Sequence, residues 1–258
     1  APLWRACVET WFPALSPKQL ADEESRYGPA MEGADRRPNA EALFFQRSLG
    51  RCLLDPTPDQ RFVVWQGRGS NGKSLAMNVV RHVMGSYAMT IDPATLLASP
   101  RGGADASPDL ARFLARPRLV AAEEPERGKV LAEGMIKSLT GGAPLVARAL
   151  YEGLEEIEAT FAPFLVCNEL PVVKGGDEGI WRRLLRVRWR INIGRDDKDE
   201  RLEGKLKAEA PGILNWLIDG ALMWLEEGLS PPARTLADSQ EWRDMSDALG
   251  RFLAECFE

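Results

Sequence analysis

Apolar residues are spaced differently in three stretches of the chain, and each spacing predicts a different kind of structure. Between residues 61 and 193, short apolar runs alternate with helix signals, which is typical of an α/β sheet with mainly parallel strands. From Gly194 onwards, tryptophan and leucine recur at helical spacing. Residues 1–60 form short helices between the breakers Pro13, Pro17, Gly28-Pro29 and Pro38. We therefore predict a helical collar (residues 1–60), an α/β core (residues 61–193) and a helical lid (residues 194–258).

The most specific pattern in the core is the apolar run Phe62 to Trp65, followed by Gly67 to Ser74 and then by an amphipathic run. The spacing G-x-x-x-x-G-K-S between a strand and a helix predicts a phosphate-binding loop. Such a loop points backbone N–H groups at phosphate oxygens, while Lys73 reaches the β- and γ-phosphates and Ser74 binds Mg²⁺. A chance glycine-rich loop would lack the flanking strand and helix. The predicted nucleotide-binding residues are Gly67, Gly69, Ser70, Asn71, Gly72, Lys73 and Ser74.

Two acidic residues follow the next clear strand of the core. The apolar run Arg118 to Ala122 leads directly into Glu123 and Glu124, 50 residues after Lys73. Behind a phosphate-binding loop, one carboxylate supports the magnesium shell and the other orients and deprotonates the attacking water. Solvated glutamates at a strand end are the alternative. We predict Glu123 on the metal side and Glu124 as the base.

Polar residues at two further positions are candidates for the same chemistry. Asn168 ends the apolar strand Ala162 to Cys167, where it is either a turn former or a hydrogen-bond partner of the attacking water or γ-phosphate. Arg182 and Arg183 follow a tryptophan. They are either a solvated helix end or guanidinium groups that reach the γ-phosphate of a neighbouring subunit.

Several other elements are predicted from local signals. A helix spans residues 129–140, a strand spans Pro144 to Tyr151, and after a turn at Glu152-Gly153 a second strand returns. Leu184 to Ile191 alternates basic and apolar residues, as a strand does. Ser107-Pro108 begins a further helix, and the last helix carries Trp242, Met245, Leu249, Phe252 and Cys256.

Composition narrows the function classes. Net charge is −5, but the core holds 18 basic and 14 acidic side chains whereas residues 194–258 hold 8 and 15, so any DNA contact must be local. The four cysteines are scattered, so buried reduced thiols are expected rather than zinc sites or disulfides. The single histidine, His82, lies inside the predicted helix after the loop, so neither metal binding by histidine nor histidine acid–base catalysis is expected. No apolar run is long enough to span a bilayer. The first residue is Ala1, so we expect a piece of a longer protein.

Together these patterns resemble the superfamily 3 helicases, specifically the phage and plasmid primase-helicase family that includes the poxvirus type. The resemblance rests on Gly67–Ser74, Arg118–Pro125, Lys137–Gly142 with Arg148 and Tyr151, Phe164–Pro171 and Gly179–Leu184. It implies an AAA+-like core that assembles as a ring, usually a hexamer, and moves along one DNA strand using ATP and Mg²⁺.

In such rings the nucleotide lies between subunits. The resemblance implies that Lys73, Ser74, Glu123, Glu124 and Asn168 act in their own subunit, and that Arg182, Arg183 and Arg148 are offered by the neighbour. It also implies a primase or primase-polymerase domain upstream, and the cytoplasm of a bacterial host as the location of a phage, plasmid or mobile-element protein.

The chain departs from the family at the hairpin that grips DNA in related rings. That hairpin carries Lys or His in the family, whereas residues 151–156 are acidic here. The alternative DNA contacts are Arg127, Lys129 and Lys137. For Lys137, a structural role is the other interpretation. Two other functions stay open: a monomeric P-loop phosphotransferase, and a DNA-binding initiator that uses ATP only to assemble.

Overall fold

A parallel β-sheet of five strands forms the centre of the structure, a computed structural model that describes residues 1–27, 34–55, 59–98, 112–141, 144–148, 154–175 and 177–247. Its strands are β1 (Phe62–Gln66), β2 (Ala88–Ile91), β3 (Leu119–Glu123), β6 (Ala162–Cys167) and β7 (Leu184–Arg188). They are ordered β2-β3-β6-β1-β7, and every neighbouring pair is parallel. Strands β4 (Leu145–Arg148) and β5 (Leu154–Ile157) form a separate antiparallel hairpin. The predicted α/β class is confirmed.

Nine helices flank these strands in the described part of the chain. Three precede the sheet: α1 (Pro2–Trp11), α2 (Pro17–Tyr27) and α3 (Ala40–Gly50). Within the core lie α4 (Lys73–Met84), α5 (Glu133–Thr140) and the single turn α6 (Glu178–Trp181). The chain then forms α7 (Leu202–Ala208), α8 (Ala210–Glu227) and α9 (Ala233–Ser246).

Because all five strands are parallel, their carboxyl ends lie at one edge of the sheet, which we call the carboxyl edge. It carries the phosphate-binding loop after β1, Glu124 after β3 and Asn168 after β6. The opposite margin, the amino edge, is where Phe62 of β1 pairs with Leu184 of β7. Strand β6 lies between β1 and β3, so Asn168 is placed between the loop and the acid.

The collar, the core and the lid share one hydrophobic cluster on one face of the sheet. It combines Trp4 and Trp11 of α1, Phe45 of α3, Trp65 of β1 and Trp216 of α8. The rings of Trp4 and Trp216 have centroids 5.5 Å apart, and those of Phe45 and Trp65 are 5.3 Å apart. Trp216 of the lid is thus buried in this cluster, and Trp242 is buried on the opposite face.

A buried arginine connects the collar with the lid. Arg47 of α3 has no exposed side-chain surface and donates to the backbone oxygens of Leu229 and Ser230 at 3.1 and 2.8 Å. Its guanidinium also pairs with Asp35 and Glu227, both at 2.9 Å. A buried guanidinium group is tolerated while all its partners are in place, but loss of a partner would be strongly destabilising. Collar and lid are therefore joined by ionic contacts as well as apolar ones.

Some predicted element boundaries were wrong. Helix α5 begins at Glu133 rather than at residue 129, because Val130 and Leu131 form β-bridges with Val172 and Leu97. Strand β7 ends at Arg188, three residues before the predicted end. The predicted turn at Glu152-Gly153 and helix start at Ser107-Pro108 lie outside the described residues, as do Tyr151, Leu249, Phe252 and Cys256.

Among the described helices, none is long and apolar enough to cross a membrane. The same residues contain no group of three or more His, Cys, Asp and Glu side chains that could hold a metal ion. Cys52 and Cys167 are buried free thiols, and Cys7 is a partly exposed one.

Candidate nucleotide-binding site

The loop between β1 and α4 has the backbone shape of a phosphate cradle. Gly69, Ser70 and Gly72 have φ angles of 88°, 47° and 91°, in the left-handed region. Gly72 is the N-cap of α4, and a Cβ atom there would lie 2.4 Å from the indole nitrogen of Trp11. Both the φ angle and the close approach of Trp11 require glycine at this position. The loop, the strand before it and the helix after it confirm the predicted local structure.

Lys73 is folded into the loop, with 3% of its surface exposed. Its Nζ donates to the Gly67 backbone oxygen at 2.7 Å, to Asn71 Oδ1 at 3.0 Å and to Asn168 Oδ1 at 3.3 Å. Burial lowers the pKa of Lys73, and the nearby Glu124 opposes this. All three acceptors are neutral, so no carboxylate among the described residues is in direct contact with the ammonium. A polyphosphate would supply the missing negative charge.

Asn168 connects Lys73 to Glu124. Its Oδ1 accepts from Lys73, and its Nδ2 donates to Glu124 Oε2 at 3.0 Å and to Oε1 at 3.3 Å. Lys73 has no acceptor, so the side-chain oxygen of Asn168 must face it and the amide nitrogen must face Glu124. Both Asn168 and Glu124 are exposed, whereas Lys73 is buried below them. The three predicted site residues therefore form one hydrogen-bonded chain that opens to solvent.

The two predicted acids point in different directions. Glu124 has a φ of 54°, and its N–H donates to the Val166 oxygen at 2.9 Å, which turns the residue towards β6. Glu123, the last residue of β3, instead pairs with Arg81 of α4 at 2.9 Å. Ser74, the other predicted magnesium ligand, is exposed on the first turn of α4. The metal role of Glu123 and Ser74 stays a prediction.

Cys167 adjoins the site but is not poised for chemistry. It is the last residue of β6 and is fully buried. Burial raises the pKa of its thiol to about 12, although Lys73 opposes the shift. The group is therefore a neutral apolar filler at neutral pH rather than a nucleophile.

The arginine pair predicted to act in trans lies at the amino edge. The Phe62 N–H donates to the Arg183 oxygen at 2.8 Å, which places both arginines beside the start of β1. Strand β1 has five residues. At roughly 3.3 Å per residue, about 16 Å of strand separates these arginines from the phosphate-binding loop of their own chain.

The two arginines differ in exposure. Arg183 is 8% exposed, and it donates to the Gly179 oxygen and, at 3.4 Å, to Gln60 Oε1. Burial lowers the pKa of Arg183, as does the neighbouring Arg182, while Asp177 opposes both. Arg182 is exposed and has a hydrogen bond of 3.3 Å to Gln60 Oε1. The exposed Arg182 is thus the better placed of the two to meet another molecule.

The remaining predicted contacts are Arg148 and the three cations predicted to bind DNA. Arg148 belongs to β4, but its side chain is outside the described part. Arg127, which is 84% exposed, pairs with Glu169 at 2.6 Å, and Lys129 pairs with Glu126 at 2.9 Å. Lys137 is paired with Asp177, and its hydrogen bond lowers the pKa of that carboxyl group. An acid thus accompanies each predicted DNA-binding cation with a described side chain.

Sequence reasoning missed three polar side chains at this site: Arg81, Gln66 and Arg186. Gln66 ends β1, and its Nε2 donates to the Asn168 backbone oxygen at 3.0 Å. The rule that singled out Asn168, a polar residue at the end of an apolar strand, would also have singled out Gln66. Arg81 and Arg186 carry no comparable local signal, because helices and amphipathic strands contain arginine routinely.

These features define an α/β protein whose parallel sheet and glycine-rich loop are consistent with the fold of P-loop nucleoside triphosphatases. Its fold is similar to that of the solved apo structure of the NrS-1 C-terminal region, with a TM-score of 0.66. That match covers 96% of this chain and 52% of the other, at 11% sequence identity, so it shows the fold alone. No family model matches the chain.

Curated relatives come from large DNA viruses. The chain is 36% identical over 136 residues to "Putative helicase L207/L206" of Acanthamoeba polyphaga mimivirus, and 30% identical over 144 residues to "Putative helicase 022R" of frog virus 3. It is 28% identical over 152 residues to "Putative primase C962R" of African swine fever virus. These matches cover 53%, 55% and 58% of this chain but only 14%, 15% and 16% of the relatives.

The chain is therefore similar to viral proteins named as helicases and primases, and it spans about one seventh of their length. The three relatives belong to viruses of eukaryotic hosts. The expected phage, plasmid or mobile-element origin and bacterial host gain no support from them.

Proposed function

We propose that this chain is the ATP-hydrolysing motor of a DNA helicase of the superfamily 3 type. It would act as a ring, usually a hexamer, that moves along single-stranded DNA and unwinds the duplex at forks. The observation that carries the proposal is the chain of hydrogen bonds from Lys73 through Asn168 to Glu124 at the carboxyl edge. The helicase and primase names of the viral relatives support the same class of function.

The residues of the loop fit a bound triphosphate. Lys73 has only neutral partners, and the side-chain nitrogen of Asn71 is buried without a hydrogen-bond partner among the described residues. Both are donors that a phosphate oxygen would satisfy, together with the free N–H groups of the first turn of α4. Binding of ATP would exchange neutral acceptors of Lys73 for anionic ones.

Ser74 and Glu123 would hold Mg²⁺, with Glu123 exchanging its present partner Arg81 for the ion. When bound, the ion neutralises charge on the β- and γ-phosphates during phosphoryl transfer. The hydroxyl and the carboxylate are oxygen ligands of the kind that Mg²⁺ prefers.

Glu124 would act as the general base. Its carboxylate is exposed and accepts both hydrogen bonds from Asn168, which restricts its orientation at the open side of the site. A base held in this way can accept a proton from a water molecule beside the γ-phosphate. Asn168 contributes by positioning the carboxylate and by connecting it to Lys73.

The guanidinium group for the transition state would come from a second copy of the chain. Arg182, with Arg183 behind it, lies at the amino edge and cannot reach the loop of its own subunit. Arg148 would be a further contribution from the neighbour. DNA contacts through Arg127, Lys129 and Lys137, and a primase or primase-polymerase domain elsewhere in the full-length protein, are further parts of the proposal.

The decisive experiment measures ATP turnover with and without single-stranded DNA, followed by strand displacement on a forked substrate. We expect turnover that rises with DNA and unwinding that requires ATP. Turnover indifferent to DNA would support a phosphotransferase instead, and DNA-stimulated turnover without unwinding would support an initiator. Molar mass in solution, measured with a non-hydrolysable ATP analogue and DNA, tests the ring: a mass that stays that of one chain would overturn it.

A further inference from the structure

A second set of hydrogen bonds leads from Asn168 across the sheet to helix α9. The backbone oxygen of Asn168 accepts from Gln66 Nε2 at 3.0 Å, and Gln66 Oε1 accepts from Arg186 Nη2 at 3.2 Å. Arg186 Nη1 in turn donates to Glu241 Oε2 at 2.9 Å and to the backbone oxygen of Asp238 at 3.1 Å. Three neighbouring elements, β6, β1 and β7, are thereby joined to α9 by side chains.

The direction of every bond in this set is determined by chemistry. Arginine has donors and no acceptor, so Gln66 must present its oxygen to Arg186. Its amide nitrogen then necessarily faces β6, where the Asn168 oxygen accepts it. If Arg186 were withdrawn, the amide of Gln66 would lose the charge-assisted hydrogen bond that defines its orientation.

Burial makes the contact between Arg186 and α9 costly to break. Arg186 is 4% exposed, and burial lowers its pKa while Asp238 and Glu241 oppose the shift. Its backbone N–H also donates to the Ser239 hydroxyl at 2.9 Å. A buried cation deprived of its partners is strongly unfavourable. The Arg186 side chain would therefore keep its contacts with α9 if that helix moved relative to the sheet.

We propose that Gln66 and Arg186 are positioning residues, which set the orientation of Asn168, and through it of Glu124, according to the place of α9. The inference rests on the proposed function, because Asn168 and Glu124 matter only where ATP is hydrolysed. Helix α9 would thus control turnover through the hydrogen bonds of Asn168 without touching the nucleotide. Displacement of α9 would slow hydrolysis and leave nucleotide binding at the loop intact.

The test substitutes Gln66→Met, which keeps the length of the side chain and removes both hydrogen bonds. We expect kcat for ATP to fall about 10- to 100-fold, the range that small misplacement of a reacting group produces, while KM changes by less than about twofold. ADP-binding stoichiometry, measured on the same samples, shows that the binding-competent fraction is unchanged. Retention of the wild-type kcat would overturn the inference, as would a KM that rises in step with the loss of kcat.

Arg188→Met is the matched control. Arg188 lies two residues after Arg186 on β7, carries the same charge as Arg186 and also contacts Glu241, at 3.2 Å. The side chain of Gln66 accepts its hydrogen bond from the guanidinium group of Arg186. Loss of Arg188 should therefore leave kcat within about twofold of the wild-type value. An equal loss of kcat in both variants would show that general loosening of α9 is responsible, and would overturn the specific role of Gln66.

A double-mutant cycle tests the same hydrogen bonds without nucleotide. The thermal unfolding midpoints of the Gln66→Met and Arg186→Met variants should combine non-additively, whereas Gln66→Met and Arg188→Met should combine additively. Additivity in the first pair would overturn the inference. Failure of the proposed function looks different: the wild-type chain itself would show no ATP turnover. Normal wild-type turnover with an unaffected Gln66→Met variant would remove only the inference.

Discussion

The two edges of the sheet carry the two sets of residues that the proposed function combines. At the carboxyl edge, Lys73, Asn168 and Glu124 bond to one another and form a site that opens to solvent. At the amino edge, Arg182 and Arg183 are held by Gln60 and by backbone oxygens instead. Within one chain these two sets are separated by the length of β1. Under the proposed function, one copy would bring its amino edge to the carboxyl edge of another.

The electrostatics of the two edges differ in the same sense. At the carboxyl edge two cations have an acid nearby: Arg81 pairs with Glu123, and Lys73 is connected to Glu124 through Asn168. At the amino edge, burial lowers the pKa of Arg61. The charge of Asp59 opposes this shift, whereas the neighbouring guanidinium groups of Arg51 and Arg182 lower the pKa further. Crowded guanidinium groups with few carboxylates favour the arrival of an anion. Such an anion would be the γ-phosphate at the carboxyl edge of a neighbouring copy.

The largest expected effect is at Lys73. Lys73→Ala should reduce ATP turnover by about 1000-fold or more, because the loop loses its only buried cation among the described residues. Steady-state phosphate release measures this, and circular dichroism checks that the fold is retained. Lys205 is an exposed lysine of α7 that pairs with Asp199. Lys205→Ala is therefore the control and should keep wild-type turnover. Retained turnover in Lys73→Ala would refute the ATPase assignment.

Arg182 tests whether the amino edge acts on a neighbour. Arg182→Ala should lower turnover about 1000-fold, the scale of a guanidinium group supplied in trans, with little change in the unfolding midpoint. Arg183→Ala should also lower the midpoint, because Arg183 is buried.

Mixing the inactive variants examines the same comparison directly. Arg182→Ala subunits retain a complete loop, and Lys73→Ala subunits retain a complete amino edge. A mixture should recover part of the turnover that neither variant has alone. If mixtures stay inactive while mixed assemblies form, the two edges do not meet between subunits.

A smaller effect is expected at the acids, where the structure separates two adjacent residues. Glu124→Gln should lower turnover at least about 100-fold and leave ATP bound, since the variant keeps the shape but cannot accept a proton. Filter binding of ATP and phosphate release measure the two outcomes. Glu123→Gln is the companion variant, and it should respond mainly to the Mg²⁺ concentration. The reverse pattern would assign the base to Glu123.

The smallest effect concerns the stability of the carboxyl edge. Gly72→Ala should lower the free energy of unfolding by about 1–3 kcal/mol, because it adds overpacking against Trp11 to the strain of a left-handed residue. Gly128→Ala is the matched control: Gly128 has a φ of 73°, and nothing lies within 4 Å of its added Cβ. In urea denaturation, Gly128→Ala should lose less free energy of unfolding than Gly72→Ala. Equal losses would mean that Trp11 does not press on the loop.

Local patterns predicted much of the site. The loop conformation, the strand before it and the start of α4 depend on glycine spacing and on neighbouring residues only, and all three were confirmed. Pairwise partners between distant segments were not predictable. The Arg81–Glu123 ion pair and the contact of Trp11 with Gly72 join residues 42 and 61 positions apart. Hydrophobic periodicity indicates which face of an element is buried, but not which element covers it.

The sequence by itself determined the α/β class, the glycine-rich loop between strand and helix, and the acidic and amide residues at strand ends, because these follow from backbone sterics and local periodicity. Only the tertiary structure decided that β6 lies between β1 and β3, which places Asn168 between Lys73 and Glu124. It alone also placed the arginine pair at the far edge and connected Gln66 through Arg186 to α9. Strand order is set by how distant segments pack, and no local pattern of residues records it.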